Sequence, residues 1–566
     1  MKLQSIIIPE REECTELYYR GAAAHSAGGA LSFDAYFNCF DYTRYRKYTA
    51  VSEVRFSCGF TGSARVELCV YDGEERVVCG GVFSGRAEVC AQLAGLPEKG
   101  YLYPKFTALS DFRFESGEYL AECGQREISC CIAICTYKRE HYVLKNAQKL
   151  RDFGFSRISR AFIIDNGNTL DGAALSDDFV RVLPNRNYGG SGGFTRGLIE
   201  ALDGGFTHVI LMDDDVEFHP EVLERMTAFI SVLTEEHSRA HFSAAMLSAD
   251  RPYIQYEMGA GWDGQGAPQN ERFVLDVRSR DSLLKNITDE KIGYGAWWCF
   301  LMPVSDIAEY GLPYPLFIKM DDVEYGLRTC RDNPIVIMNG VAVRHDDFDK
   351  KYSLPLEYYY VRNRLAVNTM LGIRPLYNAV YRLAASSLKQ LILYRYDMIP
   401  FILQGVDDFL GGVDFFLGCD EEKLNSALMK NAPKLVKLSE IEGWSEEMRA
   451  LPRKTDYKFL TPACVLSLAG HIFPPFMLKK ETGAAPLSKA GCLDTLRRRA
   501  VIQYQLGDDK GILTTRSVAK FIKYSFLTAG RLIKLLVRFG SVKKDYQARK
   551  GEISSVEFWR GHLGLK

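Results

Sequence analysis

The segment that most restricts this chain runs from Ile128 to Cys135, Ile-Ser-Cys-Cys-Ile-Ala-Ile-Cys, nearly all of it apolar. An apolar run of this length without alternation reads as a strand covered on both faces, and such strands belong to parallel sheets flanked by helices. Two similar runs follow. Ala161-Phe-Ile-Ile164 passes into Asp165-Asn166-Gly167, and His208-Val-Ile-Leu-Met212 passes into Asp213-Asp214-Asp215. A helical pattern over about Glu140–Phe153 separates the first two. Strands alternating with helices, each strand ending in polar residues, describe an open α/β sheet that takes its ligand at that edge.

The pattern differs on either side. From about Phe33 to Glu122, short alternating runs such as Ala64–Tyr71 and Val77–Phe83 are broken by glycines and by turns such as Asp72-Gly73, which predicts a β-sandwich. Beyond about Tyr352 helical periodicity takes over, in Leu354–Leu371, Tyr377–Tyr396 and Thr514–Phe539, with Pro452, Pro462, Pro474 and Pro475 between them. Three domains are expected: an N-terminal β-sandwich over 1–126, an α/β domain over 127–350 and a helical domain over 351–566. A chain of 566 residues can bury cores for all three.

Composition removes other classes. The 71 Lys+Arg balance 71 Asp+Glu, and 47% of residues are hydrophobic, so a disordered, collagen-like or nucleic-acid-coating chain is excluded. The apolar run in Met1–Glu10 is too short for a signal peptide, and the acidic Glu10, Glu12 and Glu13 follow it. No stretch of about 18 apolar residues reads as a membrane span. The 15 cysteines are odd in number and scattered, and Cys131-x3-Cys135 lacks a second pair. Reduced thiols in a cytoplasmic protein are therefore expected rather than a zinc site.

Five constellations carry chemistry. Three carboxylates at Asp213-Asp214-Asp215 are costly to crowd unless a cation neutralises them, and oxygen ligands suit Mg²⁺ or Mn²⁺ on a diphosphate. Taken alone, the triplet reads equally as a solvated acidic turn. Asn185-Arg-Asn-Tyr-Gly-Gly-Ser-Gly-Gly-Phe-Thr-Arg-Gly197 places four glycines in five residues, which lets backbone N–H groups approach a phosphate or sugar, or makes a plain connector. Trp297-Trp298 stands out in a chain with five tryptophans; neighbours on a strand face opposite ways, which places one ring in the core and one at a sugar, unless both are core residues. Asp321-Asp322-Val-Glu324 opens a helical pattern, where a carboxylate either caps the helix or serves as a general base. His345 closes the run Val341-Ala-Val-Arg, and it gains weight as a ligand only beside a metal.

In this order and combination, the Gly-rich segment, Met212-Asp-Asp-Asp215, Trp297-Trp298, Asp321-Asp-x-Glu-Tyr325 and His345 resemble glycosyltransferase family 2, with its inverting GT-A (Rossmann-like) α/β fold. More closely they look like the bacterial galactofuranosyltransferases that polymerise galactan, and Tyr36-Phe-Asn38 with Thr49 resembles that family's β-sandwich. The resemblance covers roughly 30–365. It implies Asp213, Asp215 and His345 as ligands of Mn²⁺ or Mg²⁺ on a UDP-sugar, with Asp322 as catalytic base. Thr136, Arg139, Asp165, Asn187, Gly189, Gly190 and Asp214 would lie at the donor. Trp297, Trp298, Asp321 and Tyr360 would shape the site for a glycan or glycolipid acceptor, Tyr360 standing where the family tends to have histidine. Glu257 and Trp262 are looser acceptor candidates. The implied reaction moves galactofuranose to a cell-surface glycan; another UDP-sugar donor and a non-catalytic glycan-binding role remain as alternatives.

Residues Lys510–Lys544 hold nine Lys/Arg and no Asp/Glu, together with Phe521, Ile522, Phe526, Leu527, Leu532, Ile533, Leu535 and Leu536. A basic amphipathic helix of this kind either lies on an anionic membrane, at the inner face of the plasma membrane, or packs on its own domain. Oligomeric state stays open, and no nucleic-acid partner is expected.

Overall fold

The computed structural model describes residues 1–9, 14–268, 271–347, 353–450, 462, 466–468 and 470–565. Glu10, Glu12, Glu13, Pro452 and the expected boundary at 350 lie outside the described residues. The chain divides into two compact units: Met1–Tyr314, Asp321–His345 and Ser555–Lys566 in the first, Pro315–Met320 and Asp346–Ser554 in the second.

The first unit opens with an eight-stranded antiparallel sheet. Its main strands are β1 (Lys2–Ser5), β2 (Glu53–Tyr71), β3 (Glu75–Gln92), β4 (Tyr101–Ala108) and β5 (Phe112–Leu120). The β2–β3 hairpin turns at Asp72-Gly73, where Gly73 has φ 119. Near its middle β2 bends: Arg55–Thr61 pairs with β5, and Ala64–Tyr71 pairs with β4. Gly62 permits the bend, with φ +84; a Cβ there would lie only 1.9 Å from the Asp111 carbonyl oxygen. The sheet thus folds over itself. Phe106 of β4 meets Phe112 and Phe114 of β5, each at 5.6 Å between ring centroids, so the two faces of the sandwich are halves of one hydrogen-bonded sheet.

Two buried guanidinium groups join this sheet to the α/β part of the same unit. Arg44, on α1 (Tyr42–Tyr48), donates to the carbonyls of Ile337 and Asn286 at 3.1 and 3.2 Å. Arg225 donates to the carbonyls of Phe37, Gly340 and Ser5 at 2.6, 3.0 and 2.6 Å. A guanidinium has enough donors to satisfy several buried carbonyls at once, which suits it to such a seam.

The α/β part is built from β6 (Cys130–Thr136), α2 (Glu140–Phe153), β7 (Ile158–Asp165), β8 (Val180–Pro184), α3 (Gly189–Asp203), β9 (His208–Asp213), α4 (Glu221–Ser231), β10 (His241–Ser243), β11 (Ala245–Ser248), β12 (Ile254–Glu257), β13 (Cys299–Pro303), α5 (Asp321–Thr329), β14 (Ile335–Val336) and β15 (Ala342–His345). Seven of the strands form one sheet in the order β8-β7-β6-β9-β13-β10-β14. The four from β8 to β9 run parallel, and β13 runs against them. Cys130–Ile134 and Val209–Met212 are at most 1% exposed, as expected for strands covered on both faces. A smaller sheet pairs β11 with β12 on one side and, in parallel, with β15 on the other.

The second unit is mostly helical, with α6 (Leu356–Met370), α7 (Pro375–Ile392), α8 (Ile399–Phe409) and α9 (Val518–Arg549). It also contains a four-stranded sheet of Val436–Lys437, Gly483–Pro486, Ala500–Tyr504 and Lys510–Thr515. The helix expected from Thr514 begins later. Thr514 is a buried strand residue whose hydroxyl donates to the Val501 carbonyl at 3.0 Å, and α9 starts after Ser517, whose hydroxyl accepts from the Lys520 N–H at 3.2 Å. A last helix, α10 (Val556–Leu563), groups with the first unit. Among the described residues, no helix is long and apolar enough to cross a membrane.

Candidate active site

The register of the large sheet brings the polar strand ends level. Asp165 on β7 pairs with Thr136 on β6, and Asp213 on β9 pairs with Cys135. β13 begins where β9 ends, with Cys299 opposite Met212, so Trp297-Trp298 reaches the same edge. The backbones of Glu217 and Arg344 exchange two hydrogen bonds, of 2.8 and 2.7 Å, which clip the end of β15 beside the chain leaving β9. As a result Asp213, Asp215 and His345 each offer a ligand atom within 4.8 Å of the others, a group that could hold a metal ion. His345 Nε2 lies 3.5 Å from Asp215 Oδ1. Two carboxylates and an imidazole suit a divalent cation between the hard and borderline classes.

Asp214, between the two aspartates, is engaged differently. It is buried, accepts from the Thr136 hydroxyl at 2.7 Å, and pairs with Arg139 at 3.1 Å. Burial still pushes its carboxyl up, against the pull of Arg139 and Thr136. Arg139 also reaches Asp215 at 2.8 Å. Asn146 of α2 donates to the carbonyls of Asp214 and Val216 at 2.9 and 3.1 Å and so holds the triplet's backbone, a role no sequence pattern signalled.

The Gly-rich segment is not a loop. Gly189–Gly193 form the first turns of α3. Several of these glycines are required by close packing: a Cβ on Gly193 would lie 2.1 Å from Cys135 Sγ, and one on Gly197 would lie 2.4 Å from Ala133 Cβ. At Gly190 the missing Cβ leaves room for Asp321, whose Oδ2 would stand 3.2 Å from it. Asn187 caps this start by accepting from the Gly189 N–H at 3.1 Å. Asp165 is buried, and its carboxylate accepts from the N–H groups of Gly167, Thr169 and Leu170 at 2.9, 2.8 and 2.8 Å, so it shapes its own loop.

Trp297 and Trp298 are both 4% exposed. Trp298 Nε1 donates to the Ala244 carbonyl at 2.8 Å, while Trp297 meets Phe194 edge-on at 5.1 Å. Asp321 and Asp322 begin α5, where the Asp322 carboxylate accepts from the Val323 N–H at 2.8 Å. Phe317, Lys319 and Met320, just before α5, have φ of 67, 70 and 75. Non-glycine residues in that region cost of order 1–3 kcal/mol each and persist only when braced. Within the second unit Asn363 of α6 provides a brace, its Nδ2 lying 2.9, 2.9 and 2.8 Å from the carbonyls of Leu316, Ile318 and Lys319. Tyr360 is on the same helix, with Lys319 Nζ 5.9 Å from its ring.

Glu257, only a loose candidate from sequence, ends β12 close enough to Asp322 to feel its charge. Its carboxyl is pushed up to about 7, first by burial and then by Asp322, with Arg272 pulling the other way. Tyr294 is likewise raised by burial and by Glu257 and Asp322, which brings these three groups into one cluster. Trp262 is half-buried.

A mixed sheet with an acidic triplet at its carboxyl edge is the architecture of a GT-A glycosyltransferase. Residues 131–235 match Glycosyl transferase family 2, and residues 3–122 match the domain described as Galactofuranosyltransferase 2 N-terminal. The chain is a glycosyltransferase, and its residues 131–235 are similar to family 2. It is 26% identical over 514 residues to galactofuranosyltransferase GlfT2 of Mycolicibacterium smegmatis, covering 84% of this chain and 75% of that one. Against GlfT2 of Mycobacterium tuberculosis it is 26% identical over 438 residues, covering 70% and 68%. Solved structures with a similar trace include a mannosyltransferase from Pyrobaculum calidifontis in complex with GDP-Man and Mn²⁺ (TM-score 0.31, 9% identity, 50% of this chain and 75% of that one). Another is S. aureus TarS 1-349 in complex with UDP-GlcNAc (TM-score 0.33, 15% identity, 49% and 81%). Likenesses this distant add nothing to what the sheet order and the family match establish.

The raised carboxyl of Glu257 has a consequence for stability. An unfolded glutamate ionises near 4.5 and this folded one near 7, so the folded chain holds the extra proton between those values. Stability contributed by this group therefore falls as pH rises through that window. Glu257→Gln is expected to flatten the dependence of the urea midpoint on pH there; an unchanged slope would exclude Glu257 as its source.

Proposed function

We propose that this transferase moves galactofuranose from UDP-galactofuranose to a hydroxyl of a cell-surface glycan, lipid-linked or free, with inversion and with Mn²⁺ or Mg²⁺. The observation that supports it best is the convergence of Asp213, Asp215 and His345 with the start of α3 and with Asp321-Asp322 at one edge of the sheet. The choice of sugar rests on the relatives' names and on the length over which they match.

In this reading Asp213, Asp215 and His345 would hold the divalent ion, whose positive charge would favour departure of the diphosphate. Arg139, held by Asp214, presents its guanidinium beside the same group and can turn to the diphosphate. Thr136, Asp165, Asn187, Gly189 and Gly190 shape the donor's bed. Asp322 accepts the proton of the acceptor hydroxyl as that oxygen attacks the anomeric carbon, and no protonated acid is needed on the leaving side. Glu257 and Asp321 orient the acceptor, the buried Trp297 and Trp298 shape the site from within the core, and Tyr360 joins them by resemblance alone. A positioned base contributes roughly 10²–10⁴-fold to the rate. Asp322→Asn is therefore expected to retain UDP affinity and lose about that factor in transfer, measured by product formation beside UDP calorimetry; turnover like the parent's would remove Asp322 from this role. Asp215→Ala is expected to lose the Mn²⁺-dependent part of UDP binding. A donor screen in which UDP-galactofuranose fails and another UDP-sugar works would keep the chemistry and change the sugar.

We further infer a peripheral membrane contact through α9. Phe521, Leu535, Phe539, Val542 and Tyr546 form its buried side. Ile522, Phe526, Ile533 and Val537 recur at helical spacing on another side and are exposed, Phe526 to 75% and Val537 to 79%. Lys523 and Arg538 stand beside that stripe, while Lys520 and Lys534 pair with Asp397 and Asp407 at 3.1 and 2.6 Å; an exposed apolar stripe bordered by basic residues is suited to an anionic bilayer. Replacing Phe526 and Val537 together by serine should release the protein from phosphatidylglycerol vesicles in a flotation assay; retained binding would locate any contact elsewhere.

A further inference from the structure

We propose that Trp559 on α10 is a positioning residue, holding the start of α3 and the start of α5 in register through one shared stretch of backbone. This rests on the reading of those two helix starts as the donor site and the base.

Trp559 is fully buried, and its Nε1 donates to the Pro313 carbonyl at 2.7 Å. The next residue, Tyr314, is gripped twice more. Its carbonyl accepts from the Ser191 hydroxyl at 2.6 Å, and Ser191 is the third residue of α3. Its N–H donates to Glu324 Oε2 at 3.2 Å, and Glu324 lies two residues beyond Asp322 on α5. Arg328 fixes that carboxylate at 2.6 Å. Pro313-Tyr314 is thus a hub tied to α3 through Ser191, to α5 through Glu324 and to α10 through the indole.

The remaining contacts of α10 point to the same helix. A Cβ on Gly192 would lie 3.7 Å from Trp559 Cζ3, so the indole packs against the second turn of α3. The His562 ring is 4.2 Å from that of Tyr188, the residue immediately before α3. Arg560 pairs with Asp203, the last residue of α3. A twelve-residue terminal segment assigned to the first unit therefore touches α3 at both ends. An aliphatic side chain could fill the volume, but the buried Pro313 carbonyl needs a donor and the indole N–H supplies one. Groups that must meet a substrate to within fractions of an ångström depend on such outer supports.

Trp559→Phe keeps an aromatic ring while removing the donor and part of the indole's buried volume, so it is the mildest variant that takes the N–H away. The folded variant, judged by circular dichroism and melting, should bind UDP in the presence of Mn²⁺ about tenfold more weakly than the parent and show a matching rise in donor KM. Trp444→Phe, in the second unit, is the control for losing an indole and should leave both unchanged. His562→Ala, which removes a ring that stands against Tyr188, Phe558 and Trp559, should also weaken UDP binding, and it serves if Trp559→Phe does not fold. Parent-like UDP affinity and donor KM in folded Trp559→Phe or His562→Ala would reduce α10 to a structural helix and overturn the proposal. Failure of the parent itself to bind UDP with Mn²⁺ would overturn the donor reading, and the positioning role with it.

Discussion

Crowding like charges at the end of a buried strand is the constraint on which the site depends. β9 delivers three adjacent carboxylates, and a low-dielectric strand end cannot hold them all charged without help. The protein separates their environments. Asp214 is turned to Thr136 and Arg139, while Asp213 and Asp215 are left with His345 in a cluster whose chemistry calls for a cation. Arg139 serves both arrangements, because it reaches Asp214 and Asp215 from one guanidinium nitrogen.

Much of the surrounding fold brings distant segments to that edge. The backbone bridge between Glu217 and Arg344 sets the imidazole of His345 against the aspartates, although 130 residues of chain separate them in the numbering (345 against 215). The glycines of α3 let that helix lie directly on β6, and the open space at Gly190 lets Asp321 approach its first turn. Arg225 and Arg44 lock the N-terminal sheet to the same body by satisfying its buried carbonyls. Within the second unit, Asn363 braces the left-handed residues Phe317, Lys319 and Met320 through the carbonyls of Leu316, Ile318 and Lys319.

A good part of this was legible in the linear chain. Buried parallel strands announce themselves as apolar runs, because both faces must leave water, and the polar residues at their ends mark the ligand edge. Asp213, Asp215 and His345 could be paired only through the resemblance; nothing local links a histidine closing one strand to aspartates closing another. Glu257 was only a loose acceptor candidate and Tyr294 none, since a cluster assembled from β12, the segment before β13 and α5 has no fixed spacing. The sheet in the second unit was missed for a related reason: its strands are short and lack alternation, and pairing partners rather than propensity stabilise them.

The order of residues alone specified the α/β core, the acidic strand end, the Gly-rich segment and the basic terminal helix, because each is a local pattern of polarity that one element must satisfy by itself. Folding gave those patterns their meaning. It made the glycines a packing surface inside a helix, because a Cβ at Gly193 would overlap Cys135. It buried both tryptophans, the alternative to one ring in the core and one at the site. It also returned the last helix to the body that holds the aspartates, where Trp559 closes a buried carbonyl that the chain had left more than two hundred residues earlier (559 against 313). Such partners are chosen by desolvation: a buried donor or acceptor must be paired, and only the folded chain determines which group is near enough to do it.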